Sequence, residues 1–313
     1  MTPLSVPQTD QASTVRVGLD VGGTKTDAVA LDAHDSLVAR IRLPTQPGAA
    51  GVLETIRTAL RGLTDQCTAG DVRSIGIGMP GQVDPGGSVV RHAVNLGLQD
   101  LDLRDLLERV TAVPVSVEND VKAAALGAYA LRGGVDEALG YLNLGTGVAA
   151  GAVLNGELWR GSAGVAGEIG HLSIDPTGPL CACGQRGCIE AYAGGGAVAR
   201  RWGRPGAGAV HEVFDAAEAG DRWAQRMRGE IAWAVASAVR VLTLSLDVST
   251  VVLGGGVAAL GGRLLDPVAE VLEQEAKASH FLASLRLADR VETLPAGSLA
   301  AAFGAALVGQ RPH

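Results

Sequence analysis

VRVGLDVGGTKTDAVALD, residues 15–32, decides how the chain begins. Val15 to Asp20 is a short apolar run that ends in an acid. The turn Gly22-Gly23-Thr24-Lys25 follows, and Thr26 to Asp32 is a second run of the same kind. Strand, glycine turn and strand make a hairpin, not a βαβ unit. Leu37 to Leu43 reads as a third strand. Gly51 to Gly62 has helical periodicity, with Val52, Ile56, Ala59, Leu60 and Leu63 on one side. Ser74 to Met79 reads as a strand, closed by Pro80-Gly81.

Three strands, a helix and a strand open an actin-like or ribonuclease-H-like domain rather than a Rossmann unit. The pattern then recurs. A helix over Leu101–Val110, a strand over Val113–Val117 and a small-residue helix over Val121–Leu131 complete the first cycle. Ala138 to Leu144, Gly145-Thr146-Gly147 and Val148 to Leu154 again spell strand, glycine turn, strand. The expectation is two related halves facing each other across a cleft. A long helix over Arg222–Ser245, a strand over Thr250–Leu253 with the turn Gly254-Gly255-Gly256, a helix over Leu264–Ala278, a strand over Val291–Leu294 and a closing helix over Ser298–Val308 follow. The domains expected are a disordered N-terminus (1–14), a small N-terminal domain (15–118 plus about 297–313) and a larger domain (119–296) that carries a metal site. A chain of 313 residues suits two cores better than one, since single cores stop growing at roughly 250–300 residues.

A net charge of −7 argues against a nucleic-acid surface, which needs a basic face. The apolar stretch near Val235–Val257 is broken by Arg240, Asp247 and a glycine run, so it does not read as a membrane span. The first fourteen residues hold no apolar segment of the secretory type. Cys181, Cys183 and Cys188 lie too close together for a disulfide framework; such a cluster reads as a metal site in a reducing compartment, and the expected location is cytoplasmic. Cys67 stands alone as a small core residue.

The two glycine turns after strands, Gly22 to Lys25 and Gly145 to Gly147, suit phosphates: glycine lets the backbone approach, and N–H groups and threonine hydroxyls donate. Either turn alone is as readily plain architecture. Asp20 is placed to hold Mg²⁺. The G-x-x-x-x-G-K-[ST] string is absent, so there is no P-loop. Asn119-Asp120 ends a strand and opens a helix. Taken alone it reads first as an N-cap, and second as a carboxylate that takes the proton of an attacking alcohol. His171 with Cys181, Cys183 and Cys188 makes one imidazole and three thiolates, a closed tetrahedral set of the structural zinc kind. Glu168 and Glu190 lie nearby in sequence and are suitable partners for sugar hydroxyls, with a solvated surface as the plainer alternative.

The string of motifs resembles the ROK family of bacterial sugar kinases and sugar-responsive repressors. It is carried by LDVGGTKTDAVALD (19–32), GIGMPGQVD (76–84), VENDVKAAALGAY (117–129), LNLGTGVAAGAVLNGELWRGSAGVAGEIGH (142–171), CACGQRGCIE (181–190) and VVLGGGV (251–257). The pairing of GEIGH with CxCGxxGC is the most specific part. The resemblance implies a two-domain actin-like sugar kinase fold, Asp120 as general base, and Gly81, Asn95, Asn119, Glu168, His171 and Glu190 as sugar ligands. It implies donor phosphate contacts at Gly22, Gly23, Thr24, Lys25, Gly145, Thr146 and Gly147, and adenosine contacts near Gly254, Gly255 and Gly256. His171 would give one ring nitrogen to zinc and the other to a sugar hydroxyl. ATP, Mg²⁺ and a structural Zn²⁺ follow, with glucose or a related hexose phosphorylated at O6, or N-acetylglucosamine or N-acetylmannosamine as the alternative acceptor, and a homodimer by analogy. The family's repressors carry a helix-turn-helix module ahead of this region; with the first strand at Val15 none is expected here, and no nucleic acid or membrane partner is expected. Three strings differ from the usual family pattern: Val121-Lys122 after the Asn-Asp pair, a less glycine-rich Val148-Ala149-Ala150-Gly151, and Leu96-Gly97-Leu98 in place of a Trp-bearing strip.

Overall fold

The computed structural model describes residues 14–67, 71–84, 89–91, 93, 96–98, 100–111, 113–204, 206, 208–295 and 297–309. Residues 1–13 of the predicted N-terminal tail, and Asn95, lie outside the described residues. The chain divides into two compact units, Met1–Gly127 with Leu299–His313, and Ala128–Ser298.

In the first unit, β1 (Thr14–Val21), β2 (Lys25–Leu31) and β3 (Leu37–Pro44) form an antiparallel meander, followed by α1 (Gly48–Gln66) and β4 (Asp71–Met79). A small sheet of β5 (Gln82–Val83), β6 (Val89–Arg91) and β7 (Asp100–Asp102) comes next, then α2 (Leu103–Thr111), β8 (Val115–Asn119) and α3 (Asp120–Leu131). The main sheet has the order β3-β2-β1-β4-β8, with β4 parallel to both β1 and β8. Central β1 and β4 are nearly all buried, as strands covered on both faces must be. On one side Val52, Ile56, Ala59 and Leu63 of α1 and Leu103 and Leu107 of α2 join their core.

The second unit repeats the plan. It contains β9 (Ala138–Leu144), β10 (Val148–Leu154), β11 (Glu157–Leu158), α4 (Ile189–Ala193), α5 (Gly195–Trp202), α6 (Ala209–Glu218), α7 (Arg222–Leu246), β12 (Thr250–Gly254), α8 (Gly262–Ala278), α9 (His280–Leu285) and β13 (Val291–Thr293). Its sheet runs β11-β10-β9-β12-β13, antiparallel through β9 and parallel from β9 to β13. Position by position this is the order and strand direction of the first sheet, so the repeated strand–glycine turn–strand signal marks a true structural repeat. Among the described residues one helix, α7, has the length and apolar composition of a membrane span. Here its apolar side forms the core: Met227, Ile231, Val235, Val239 and Leu242 are buried with Leu142, Leu144, Val251 and Leu253 of the sheet. Asp221 starts α7 by accepting the Ala224 N–H at 2.9 Å.

The closing helix α10 (Ala300–Val308) belongs to the first unit. Its alanines and glycine have a steric cause. A Cβ on Gly18 of β1 would stand 2.0 Å from the Ala302 carbonyl oxygen, and one on Gly76 of β4 would stand 1.7 Å from that of Ala305. The helix lies so near the strands that Gly18 and Gly76 have no room for a side chain.

Candidate active site

Asn119 and Asp120 divide two roles that the sequence leaves together. Asn119 Oδ1 accepts the N–H groups of Val121 and Lys122, both at 3.1 Å, and so is the cap of α3. Its Nδ2 donates to the Gly81 carbonyl oxygen and to Asp120 Oδ1, also at 3.1 Å each. Asp120 Oδ1 further accepts the Val121 N–H at 2.9 Å. Asn119 is therefore the main cap and also aims the Asp120 carboxylate, which shares the Val121 N–H with it and is only half-buried. Gly81 has φ +107°, and a Cβ there would meet the Arg91 carbonyl oxygen at 2.5 Å, so glycine is required at the point that Asn119 grips. Gly78 of β4 passes the helix start with its Cβ position 3.5 Å from Asp120 Cα.

The first glycine turn closes with the Gly22 N–H on the Lys25 carbonyl at 3.0 Å, leaving Gly23, Thr24 and Lys25 exposed. Asp20 and Asp27 stand opposite one another across β1 and β2, on one face of the sheet. Asp27 is neutralised by Arg42 and by Lys25, whose Nζ lies 3.8 Å away. Burial, then the Asp120 and Asp27 carboxylates, push the Asp20 carboxyl up to about 7, against the opposing pull of Lys25 and Arg42. A half-buried carboxyl pushed toward its protonated form by desolvation first and by two neighbouring acids second is a group that a divalent cation would discharge, so this donor set fits Mg²⁺.

In the second unit, Gly145 to Gly147 joins β9 to β10, and Thr146 is exposed. The Gly145 N–H is bound to the Gly147 carbonyl oxygen at 3.0 Å. Gly254 to Gly256 leaves β12, which pairs with β9, so both turns emerge at the same end of neighbouring parallel strands. The Val257 N–H donates to the Leu144 carbonyl oxygen at 2.9 Å and ties them. Gly254 is buried, and Tyr141 Oη occupies the space next to it, 1.9 Å from its Cβ position; the exposed part of that turn is Gly255-Gly256.

The GEIGH string is pressed onto β10. The Ala150 N–H donates to the Gly167 carbonyl oxygen at 2.7 Å. Cβ atoms on Gly167 and Gly170 would each fall 1.9 Å from a β10 carbonyl oxygen, those of Ala150 and Val148. Both glycines are needed for the approach, which leaves Glu168 exposed and brings His171 to the cysteines. His171 Nδ1 lies 3.8 Å from Cys181 Sγ, and Cys183 Sγ lies 3.7 Å from Cys188 Sγ. All four donor atoms fall within 4.8 Å of one another. A tetrahedral ion with metal–sulfur bonds of about 2.3 Å has sulfur–sulfur edges of about 3.8 Å, so the set fits zinc. Hydrogen bonds from Gln185 hold the Cys183 thiol down at about 6, while burial pushes Cys188 up to about 12. All four cysteines are free thiols. Glu190 reaches from α4 to both features: its Oε2 accepts the Val148 N–H at 3.0 Å, and its Oε1 lies 4.0 Å from Cys181 Sγ.

A family model described as "ROK family" matches residues 16–311. This chain belongs to the ROK family. A glucokinase of Halalkalibacterium halodurans is 35% identical over 282 residues, 82% of this chain and 84% of that protein. An N-acetylmannosamine kinase of Yersinia pseudotuberculosis is 34% identical over 256 residues, 79% of this chain and 85% of that protein. Among solved structures, a ROK family glucokinase from Streptomyces griseus in complex with glucose and AMPPNP superposes with a TM-score of 0.76 at 30% identity, covering 95% of this chain and 99% of that one. The actin-like ATPase fold expected from the sequence is the fold of this ROK chain.

Of the residues read from the sequence, the structure joins Gly81, Asn119 and Asp120 in one hydrogen-bonded group, and sets Asp20 within their electrostatic reach. It joins His171, Cys181, Cys183, Cys188 and Glu190 in a second, which touches the turn after β9. The supports around them were not read as site residues. Gly167, Gly170 and Gly187 belong here; a Cβ on Gly187 would stand 1.6 Å from the Asp175 carbonyl oxygen. Their only signal in the sequence is glycine inside a motif defined by its polar residues.

Proposed function

We propose that this ROK chain is an ATP-dependent kinase that phosphorylates a hexose hydroxyl, with Asp120 as the general base. The observation that carries the reading is the division of labour at the start of α3. Asn119 takes the cap and also orients the Asp120 carboxylate, an arrangement a helix start does not need and an aimed base does. The family membership and the glucokinase relative support the substrate class. AMPPNP is an ATP analogue, and its presence in the S. griseus glucokinase supports ATP as donor.

Asn119 and the Gly81 carbonyl fix the acid so that it accepts the hydroxyl proton as the sugar oxygen attacks phosphorus. Each glycine turn would offer phosphate contacts of its own: Gly23, Thr24 and Lys25 in the first unit and Thr146 and Gly147 in the second, the Gly22 and Gly145 N–H groups being bound within their turns. Mg²⁺ held by Asp20, directly or through water, would neutralise phosphate oxygens. Glu168, His171 and Glu190 bind and orient the sugar; zinc on Nδ1 would fix the ring so that the other nitrogen meets a hydroxyl. A site of three free ligand thiols and one imidazole belongs in a reducing compartment, in keeping with a cytoplasmic enzyme.

The N-acetylmannosamine kinase relative, at nearly the same identity, favours an N-acetylhexosamine as the second reading of the acceptor. Coupled ADP release measured over a panel of hexoses and N-acetylhexosamines tests both. Turnover with glucose or mannose selects the first, turnover confined to N-acetylated sugars selects the second, and no turnover with any sugar rejects the kinase.

A further inference from the structure

The turn after β9 is gripped from behind by one stretch, residues 190–196. Glu190 Oε2 accepts the Val148 N–H at 3.0 Å and stands 2.5 Å from the place a Cβ on Gly147 would occupy. Of the three glycines that follow, Gly195 and Gly196 bind the turn itself and Gly194 closes back on Glu190. The N–H groups of Gly194, Gly195 and Gly196 donate to the carbonyl oxygens of Glu190, Gly145 and Thr146, each at 2.9 Å. A Cβ on Gly195 would lie 3.0 Å from the Gly145 oxygen, and one on Gly196 would lie 3.2 Å from both the oxygen and Cγ2 of Thr146. Each residue of the turn thus has a close neighbour in this stretch: Gly195 at Gly145 and Gly196 at Thr146, where an added Cβ would be crowded, and the Glu190 carboxylate at Gly147.

We infer that Glu190 and Gly194–Gly196 form a clamp that sets the donor's phosphate turn, and that Glu190 is a positioning residue for nucleotide as well as a sugar ligand. The inference rests on the reading of Gly145–Gly147 as a donor phosphate site. A carboxylate behind such a turn repels the phosphates it serves, so it must contribute something that outweighs the repulsion. The bond to Val148 supplies it: an ionised acceptor makes a hydrogen bond roughly twice as strong as a neutral one. A turn held in its binding shape binds without first being ordered, which otherwise costs affinity. With Oε2 bound to the Val148 N–H, Oε1, on the Cys181 side, is the oxygen assigned to a sugar hydroxyl.

The two roles separate when nucleotide affinity is measured by calorimetry with no sugar present. Glu190→Ala removes the strut, and Gly195→Val pushes Gly145 outward while leaving Glu190 and the thiol cluster intact; each weakens nucleotide binding about tenfold or more, 1.4 kcal/mol per decade. Wild-type affinity in Gly195→Val, with its fold verified by circular dichroism, overturns the clamp, and wild-type affinity in Glu190→Ala confines Glu190 to the sugar. Failure of the wild-type chain itself to bind nucleotide overturns the reading of the turn and the clamp with it.

Discussion

Asp20 and Asp120 are two acids in one field, and their protons report on it. Burial and the facing carboxylates raise Asp20 to about 7, so the folded, cation-free protein holds a proton there that the unfolded chain releases near 4. The raised value stabilises the protonated fold fully below the unfolded value, and that contribution is lost as pH rises through about 7. A cation competes with the same proton. Apparent Mg²⁺ affinity is therefore expected to climb as pH rises from 5.5 to 7.5 and to level off above, as followed by calorimetric titration; Asp20→Asn flattens the dependence and weakens binding throughout. A profile independent of pH would contradict the account of Asp20. Asn119→Ala is expected to cost about 1 kcal/mol of stability through the lost cap and to lower kcat as well, because the same amide aims Asp120. Unfolding midpoint and steady-state rate check the two losses separately.

Among the elements, the GEIGH segment and the thiol loop show where sequence reading succeeds and where it stops. Three thiols at short spacing and one histidine announce a metal because few other arrangements tolerate them together. The pressing of Gly167 and Gly170 onto β10 leaves no such chemical mark; it is a matter of two carbonyl oxygens 1.9 Å from absent Cβ atoms. Gly170→Ala is expected to displace His171, raising the sugar KM roughly tenfold and loosening zinc, with ion content read by mass spectrometry. Zinc binding must also displace protons, above all from Cys188, which burial holds at about 12 in the metal-free protein. Acidification from pH 7.5 to 5.5 is expected to release the ion to a chromogenic chelator, and Cys183→Ser to release it at neutral pH. The short β5–β7 sheet and helices α4 to α6 were not read from the sequence. Strands of two or three residues lack enough alternation to register, and glycine-rich starts such as Gly194–Gly196 look like loops until their N–H bonds are seen.

Across the whole molecule, the legible part is the repeat. VRVGLDVGGTKTDAVALD and its counterpart around Gly145 open two sheets of one topology, and the strand pattern alone was enough to find them. The unit boundary was less legible. Contacts place it at Gly127/Ala128 and Ser298/Leu299, inside one helix and just before another, where no composition change marks it. The four tryptophans, Trp159, Trp202, Trp223 and Trp233, all lie in the second unit, so their fluorescence reports that unit while circular dichroism reports both. Gly76→Ala forces a Cβ to 1.7 Å from the Ala305 oxygen and is expected to cost about 1–3 kcal/mol in the first unit. In urea, its dichroism transition is then expected to begin before its fluorescence transition; coincident, wild-type curves would contradict the packing described for α10. The central claim, that a capped and aimed Asp120 is the base of an ATP-dependent sugar kinase, is tested most directly by kcat in wild type and Asp120→Asn with the best sugar of the panel. The account predicts a fall of roughly 10²–10⁴-fold in the variant, with nucleotide and sugar affinities within a few-fold of wild type; an Asp120→Asn enzyme that turns over at the wild-type rate would contradict it.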